Sequence, residues 1–204
     1  MALGGLLGSG WKAILSPLER ERAASFAVPD ARARYIQTRF ALRLLLGGLL
    51  DRPPAAIEIG AAPGGKPILL GAVSAARKIE FNYTHTDGLA LIAVAVGMPV
   101  GIDVEKLGRR ADFDAIAGRF FSEAERGLLL DSPGEETFLG IWTRKEAVLK
   151  ALGSGLSGGM GAFSVGEGRR WNEEACHEGR RYALRTIAAS EAYAAALALD
   201  VGSV

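Results

Sequence analysis

Cysteine and histidine are nearly missing from this sequence, and their scarcity limits its metal chemistry. Cys176 is the single cysteine, so an internal disulfide and a cysteine-rich zinc site are both excluded. The two histidines, His85 and His177, are too few to complete a tetrahedral zinc site with one cysteine. Any bound metal is therefore expected to be a hard cation held by carboxylates.

Net charge is also almost absent. Twenty-four Lys and Arg residues against 23 Asp and Glu give a formal charge of +1. Proteins that bind duplex nucleic acid usually carry a large basic excess, so nucleic acid is not an expected partner. Basic residues nevertheless crowd residues 19–43, which favours an anionic ligand near the N-terminal half.

Long apolar segments are lacking as well. The longest stretch of low charge, residues 81–99, is interrupted by polar or charged residues between positions 82 and 87. No segment reaches the roughly 18–20 apolar residues that a membrane span needs. Residues 1–10 are apolar but short, and they lack the basic region of a signal peptide. We therefore expect no membrane association and a cytoplasmic location.

Periodicity and capping signals predict an α+β protein. Helices are expected over residues 16–24, 30–50, 112–119, 122–130 and 135–152. Their expected N-terminal caps include Ser16, Asp30 and Ser122. Strands are expected over residues 57–59, 100–104, 163–165, 181–187 and 193–200, and a glycine-rich loop over 153–161. Residues 82–96 are expected to form strand and turn, with the turn at 86–88 and a buried strand over 89–96. Helix and strand recur on both sides of residues 97–100, which predicts two halves, 1–98 and 99–204.

Asp103 and Glu105 form the first chemical signal, on the expected strand 100–104. Residues two apart on a strand face the same side, with their Cα atoms about 6.5 Å apart. Two carboxylates so placed repel each other, and a divalent cation bound between them is one way to relieve this repulsion. A solvated acidic strand end is the alternative interpretation of this segment alone.

The expected helix over residues 135–152 carries a second signal. Trp142, Glu146 and Lys150 share one face because they are spaced four residues apart. Taken alone, an amphipathic helix with a core tryptophan and a surface ion pair would explain them. His85, likewise taken alone, would be a structural histidine at a strand end.

Residues 60–66 match the G-x4-G-K pattern of a phosphate-binding loop. Pro67 stands where that loop needs a serine or threonine for Mg²⁺, and no buried apolar strand precedes Gly60. The pattern therefore disfavours a P-loop nucleotide hydrolase.

The order and spacing of the motifs are more specific than any one of them. In chain order they are Gly65-Lys66-Pro67, Phe81-Asn82-x-Thr84-His85-Thr86, Gly101-Ile102-Asp103-Val104-Glu105, Phe120-Phe121-Ser122-x-x-Glu125, Trp142-x-x-Lys145-Glu146-Ala147-x-x-Lys150 and Gly153-x-Gly155-Leu156. Across residues 16–163 this arrangement resembles the Sfp-type 4′-phosphopantetheinyl transferase family. The resemblance implies two pseudo-twofold-related halves, each with helices packed on a small antiparallel sheet. It also implies transfer of 4′-phosphopantetheine from coenzyme A to a carrier-protein serine, with release of 3′,5′-ADP.

The resemblance assigns metal and catalytic roles in the second half of the chain. Asp103, Glu105 and Glu146 match the residues that bind Mg²⁺ together with the coenzyme A pyrophosphate, with Mn²⁺ as an alternative ion. Glu146, or a metal-bound water, would take the proton of the incoming serine hydroxyl. Lys150 would steady the phosphate charge.

Coenzyme A contacts are implied mainly in the first half. Lys66 matches a lysine near the adenine and phosphate, and Thr84-His85 matches a pair that is more usually Ser-His. Arg34 and Arg39 are the expected ligands of the 3′-phosphate, because a guanidinium fork suits phosphate oxygens.

The implied protein partner is a small acidic carrier domain of the fatty-acid, polyketide or non-ribosomal peptide type. Residues 112–130 correspond to the flap of the family, where Phe120 and Phe121 are either core residues or carrier contacts. Chain length and the Trp-x-x-Lys-Glu motif favour a monomer over the shorter, trimeric holo-acyl-carrier-protein synthase type. A non-catalytic coenzyme A or carrier-protein binding protein with the same fold is the remaining alternative.

Overall fold

A computed structural model describes residues 10–71, 78–108, 111–155, 159–168 and 170–204. The helices in these ranges are α1 Trp11–Ile14, α2 Pro17–Ala24, α3 Pro29–Leu50, α4 Phe113–Phe120, α5 Glu123–Asp131 and α6 Glu135–Leu152. The strands are β1 Ile59–Ala61, β2 Pro67–Leu69, β3 Ile79–Thr86, β4 Leu89–Val96, β5 Val100–Lys106, β6 Gly166–Glu167, β7 Arg170–Trp171, β8 Glu174–His177, β9 Arg180–Thr186 and β10 Tyr193–Ser203. The predicted α+β class is confirmed.

In the first half, helix α3 packs on the antiparallel β3–β4 hairpin. Residues four apart on α3, Leu42, Leu46 and Leu50, are buried against Ile79 and Phe81 of β3. A short β1–β2 hairpin flanks this core. A second buried cluster, Leu15, Ala23 and Ile36, packs α2 against α3.

In the second half, helix α6 crosses a four-stranded antiparallel sheet of order β5-β10-β9-β8. The core between them includes Ile141 and Val148 of α6, Tyr182 and Leu184 of β9, and Ala198 of β10. The buried β10 side chains of this core, Ala196 and Ala198, are small. Helix and antiparallel sheet are thus layered in this half too, and the pseudo-twofold relation between the halves stays a prediction.

Capping boxes begin α2 and α5, which confirms the caps predicted at Ser16 and Ser122. The backbone nitrogen of each serine donates to the glutamate three residues later, Glu19 or Glu125, at 2.8 Å. Both glutamates are buried and also form ion pairs with basic side chains of the long helix in their own half. Each capping box therefore also anchors a helix terminus to its core.

The predicted cap at Asp30 was wrong. Helix α3 is capped at Val28, and Pro29 occupies its first turn. Proline suits this position because its fixed φ is already helical and its missing N–H would have no intrahelical partner. Asp30 lies within the first turn instead, where its negative charge interacts favourably with the positive end of the helix dipole.

The strand predicted over residues 163–165 was also wrong. A short 3₁₀ turn, Met160–Ala162, precedes this segment, and β6 begins only at Gly166. The alternation of Phe163 and Val165 does not mark a strand. Both side chains are instead buried in the C-terminal core. Part of the predicted 153–161 loop, including Leu156, lies outside the described residues.

The aromatic residues of the flap divide between core and surface. Phe121 is buried and packs against Phe138, with ring centroids 5.0 Å apart, so it belongs to the core. Phe120 is only partly buried, and its ring meets Trp142 edge-on at 5.9 Å.

Among the described residues, every helix is too short or too polar to cross a membrane.

Candidate active site

Strands β3 and β5 meet where the two halves join, and side chains connect them. The backbone nitrogen of Ile102 donates to Asn82 Oδ1 at 3.0 Å, and Thr84 Oγ1 donates to Asp103 Oδ1 at 3.1 Å. Asn82 and Thr84 share one face of β3 because they are two residues apart. Asn82 belongs to the Phe-Asn-x-Thr-His-Thr motif, but the motif alone indicated no role for it. Its spacing of two residues from Thr84 was the available signal.

Lys150 of α6 completes this group. Its Nζ lies 2.5 Å from Asp103 Oδ1, 3.3 Å from the carbonyl of Ile102 and 3.4 Å from Thr84 Oγ1. The second carboxylate oxygen of Asp103, Oδ2, is buried and has no hydrogen-bond partner in the described part of the chain. Buried polar atoms rarely remain unsatisfied, so this oxygen is available to a further donor or cation.

Gly101 explains how β5 and α6 come so close together. A Cβ at this position would lie 2.0 Å from the carbonyl oxygen of Ala147 and 2.4 Å from the backbone nitrogen of Ala151. Only a residue without a side chain permits this approach. The glycine of the Gly-Ile-Asp motif therefore brings Asp103 within reach of Lys150.

Glu146 lies one turn before Lys150 on the same helix and is half-buried. Burial raises its pKa, the charges of Asp103 and Glu105 raise it further, and Lys150 acts in the opposite direction. The three carboxylates thus interact through their charges. Within the described residues, however, they do not form a group of three that could hold a metal ion by themselves.

The donor set still fits a hard divalent cation. Mg²⁺ in proteins is commonly bound by one or two carboxylates, with substrate phosphates and water completing the octahedron. The unpartnered Oδ2 of Asp103 and the neighbouring carboxylate of Glu146 match that requirement. The assignment of Asp103, Glu105 and Glu146 as metal ligands stays a prediction.

Two of the predicted coenzyme A residues, Arg34 and His85, line one cavity of about 510 Å³. Asp87 and Lys106, which were not predicted, line it as well. Burial lowers the pKa of His85, and the positive charges of Arg34 and Lys150 lower it further. The cavity therefore combines two permanent cations with a histidine that stays largely neutral near pH 7.

Arg39 is not among the residues that line this cavity. Its Nε donates to Glu19 Oε1 at 2.6 Å, and its Nη1 donates to the hydroxyl of Tyr83 at 3.2 Å. Glu19 also accepts a 2.6 Å hydrogen bond from Arg43 Nε. The structure thus joins Arg39 and Arg43 in a buried ion-pair network, and the 3′-phosphate role of Arg39 stays a prediction.

Lys66 reaches across to the second half of the chain. Its Nζ donates to the carbonyl of Ala151 at 2.9 Å, near the end of α6, and burial lowers its pKa. A Cβ on Gly64 would lie 2.1 Å from the carbonyl oxygen of Gly153, so the loop packs tightly there. Lys66 is not among the residues that line the Arg34–His85 cavity.

Lys145, directly before Glu146, is fully buried. Its Nζ pairs with Glu125 at 2.9 Å and donates to the carbonyls of Met160 and Phe163 at 2.7 and 2.6 Å. The lysine of the Trp-x-x-Lys-Glu motif thus joins α5 and the 160–163 segment to α6. Sequence reasoning did not assign this role, because burial of a lysine cannot be read from its spacing.

Comparison with known proteins identifies the family of this chain. A sequence model described as the 4′-phosphopantetheinyl transferase superfamily matches residues 99–198. The 4′-phosphopantetheinyl transferase Sfp of Bacillus subtilis (strain 168) is 34% identical over 166 residues, which cover 74% of this chain and 71% of that protein. The chain belongs to the 4′-phosphopantetheinyl transferase family.

Two cyanobacterial members of this family are also similar to the chain. The 4′-phosphopantetheinyl transferase HetI of Nostoc sp. is 40% identical over 148 residues, or 71% of this chain and 62% of HetI. The putative 4′-phosphopantetheinyl transferase slr0495 of Synechocystis sp. is 34% identical over 154 residues, or 74% of this chain and 62% of that protein. Each of these two matches covers less than two thirds of the length of the cyanobacterial protein.

Proposed function

We propose that this protein transfers 4′-phosphopantetheine from coenzyme A to a serine hydroxyl of an acyl or peptidyl carrier protein. The observation that carries the proposal is the convergence of Thr84, Asp103 and Lys150 on one point between β3, β5 and α6, next to Glu146. Family membership supports the same assignment. A cation beside acidic groups suits the binding of a pyrophosphate together with a divalent metal.

In the proposed reaction, the serine oxygen attacks the β-phosphorus of coenzyme A, and the bond from this phosphorus to the 3′,5′-ADP oxygen breaks. Asp103 and Glu146, with Glu105, would hold Mg²⁺, which supplies charge neutralisation for the pyrophosphate. Lys150 would move from Asp103 toward a phosphate oxygen. Glu146, or a metal-bound water beside it, would accept the serine proton.

Coenzyme A binding is proposed on both sides of this centre. Arg34 and His85 would meet its 3′-phosphate in the 510 Å³ cavity. Thr84 and Lys66 would approach the pyrophosphate and adenine, and Arg39 would act mainly by holding Tyr83 and α3 in place. The carrier would approach the flap formed by α4 and α5. The carrier type and the monomeric state stay predictions.

The proposal is tested by incubating the protein with coenzyme A, Mg²⁺ and apo-carrier proteins of the three types, with intact mass as the readout. A carrier that gains the phosphopantetheine mass, dependent on Mg²⁺ or Mn²⁺, supports the proposal. Coenzyme A binding by calorimetry without transfer to any carrier would instead identify a non-catalytic binding protein.

A further inference from the structure

The turn between β3 and β4 places an acidic side chain among the cations of the Arg34–His85 cavity. Asp87 Oδ2 accepts a hydrogen bond from Lys106 Nζ at 2.8 Å, and its Oδ1 lies 3.8 Å from Arg34 Nη1. The hydrogen bond and charge of Lys106 lower the pKa of Asp87, so this carboxylate is ionised at neutral pH. One anion is thus shared by both permanent cations of the cavity.

The position of this turn does not depend on the Asp87 carboxylate. The hydroxyl of Tyr193 on β10 donates to the backbone carbonyl of Asp87 at 3.0 Å. Gly88 has φ +84°, and a Cβ there would lie 2.7 Å from the same hydroxyl. The opposite wall is fixed by the backbone nitrogen of Gly108, which donates to Glu135 Oε2 at 2.8 Å. The walls are therefore built from contacts that leave the Asp87 side chain free to change partners.

The side chains of the three charged residues are accessible to a ligand. Their exposed fractions are 70% for Asp87, 40% for Lys106 and 36% for Arg34. Such exposed pairs contribute little to folding, because water screens them and long side chains lose freedom in holding them. A phosphate group, with two negative charges and three acceptor oxygens, offers these cations a stronger partner than one carboxylate does.

We propose that Asp87 is a specificity-determining residue that acts as an internal counter-ion for Lys106 and Arg34, and that a phosphate monoester takes both cations over from it. The inference rests on the proposed function, since it identifies the monoester as the 3′-phosphate of coenzyme A. Lys106 becomes a further ligand of that phosphate, beside Arg34. Asp87 lowers the affinity of this cavity for any anion, and only a group carrying more charge than a carboxylate displaces it.

The test compares the binding of coenzyme A and dephospho-coenzyme A by titration calorimetry at low ionic strength, with Mg²⁺ present. Asp87→Asn keeps the shape of the side chain and should tighten coenzyme A binding about two- to fivefold, the range expected for a solvent-screened charge. Its binding of dephospho-coenzyme A should be unchanged. Lys106→Met should weaken coenzyme A binding. When Lys106→Met is combined with Asp87→Asn, the gain in coenzyme A affinity caused by Asp87→Asn should be smaller than in the single variant. Asp131→Asn, an exposed aspartate at the end of α5, is the matched control.

Several outcomes would overturn the inference. Weaker or unchanged coenzyme A binding by Asp87→Asn would mean that Asp87 orients the cations and does not compete for them. An equal gain for both ligands would show that the 3′-phosphate is not the group recognised. If the parent protein transfers phosphopantetheine and either result is found, only this inference fails. A parent protein that binds no coenzyme A overturns the proposed function and this inference together.

Discussion

Lys150 Nζ lies 2.5 Å from the Oδ1 atom of Asp103, so two residues expected to face a ligand are paired with each other. Asp103 is only 4% exposed, and this pairing offsets part of the cost of burying its charge. A substrate phosphate and a divalent cation could each replace one member of the pair. The contact therefore connects the stability of the protein without ligands to the binding of its proposed substrates.

Replacing Asp103 with asparagine should abolish transfer and also lower stability in the absence of ligands. The loss of one charged hydrogen-bond partner is worth about 1–2 kcal/mol here, because the side chain of Lys150 is partly exposed and screened. Coenzyme A with Mg²⁺ should raise the melting temperature of the parent protein, by an amount that grows with ligand excess over Kd. The asparagine variant should lose most of this rise, as measured by scanning calorimetry. If it keeps the whole rise, Asp103 has a structural role only.

Arg34 and Arg39 should differ in what their removal affects. Arg34→Ala should raise the KM for coenzyme A about tenfold or more, through the loss of a charge-assisted hydrogen bond, and leave the melting temperature nearly unchanged. Arg39→Ala leaves Glu19 without one of its buried partners and should cost about 3–5 kcal/mol of stability, measured by urea unfolding. Dephospho-coenzyme A checks the first result, because the Arg34 variant should discriminate less between coenzyme A and dephospho-coenzyme A than the parent protein does. Equal KM values for the parent and Arg34→Ala would remove Arg34 from the phosphate site.

Alanine at Gly101 should severely destabilise the protein. The new Cβ would meet backbone atoms of α6 at 2.0 and 2.4 Å, and neither β5 nor α6 can move without disturbing the C-terminal core. Gly48, in the last turns of α3, is the matched control, because a Cβ added there would meet no atom within 4 Å. Gly48→Ala should stabilise by about 0.5–1 kcal/mol. Thermal unfolding of both variants measures the contrast, and a Gly101→Ala protein as stable as the parent would contradict the packing of β5 against α6.

Glu19 should contribute to the acid sensitivity of the fold. Burial acts to raise its pKa, but the charges of Arg39 and Arg43 and hydrogen bonds from Ser16 and Arg43 outweigh burial and leave the pKa below its ordinary value of 4.5. Because the folded carboxyl has the lower pKa, the unfolded chain binds more protons in acid. The stabilisation is therefore complete above the unfolded pKa and is lost as pH falls through the lower, folded value.

Urea midpoints measured between about pH 7 and pH 3 should show this loss in the parent protein. Glu19→Gln should be less stable than the parent at neutral pH, and the difference should narrow in acid. Glu21→Gln, which changes an exposed glutamate of the same helix, should follow the parent curve. Parallel curves for the parent and Glu19→Gln would show that the ion pairs with Arg39 and Arg43 do not control the acid response.

Local signals in the sequence determined most of the helices and their capping boxes. Ser16 and Ser122, each followed by glutamate after three residues, specify helix starts because the cap hydrogen bonds are made within one turn. The short strands β2 and β6 to β8 were not predicted. Two to four residues carry too little alternation to distinguish a strand from a loop, and pairing with a distant segment decides their conformation.

The sequence by itself determined the family and the set of candidate residues, because motif order and chemical type are properties of the chain. Only the tertiary structure decided which basic residues line a cavity and which are buried in ion pairs. Arg34 and Arg39 both lie on α3, yet the first lines the cavity with His85 and the second pairs with Glu19. The physical reason is that a guanidinium binds any nearby anion, and which anion is near depends on how α2, β3 and the β3–β4 turn pack around α3.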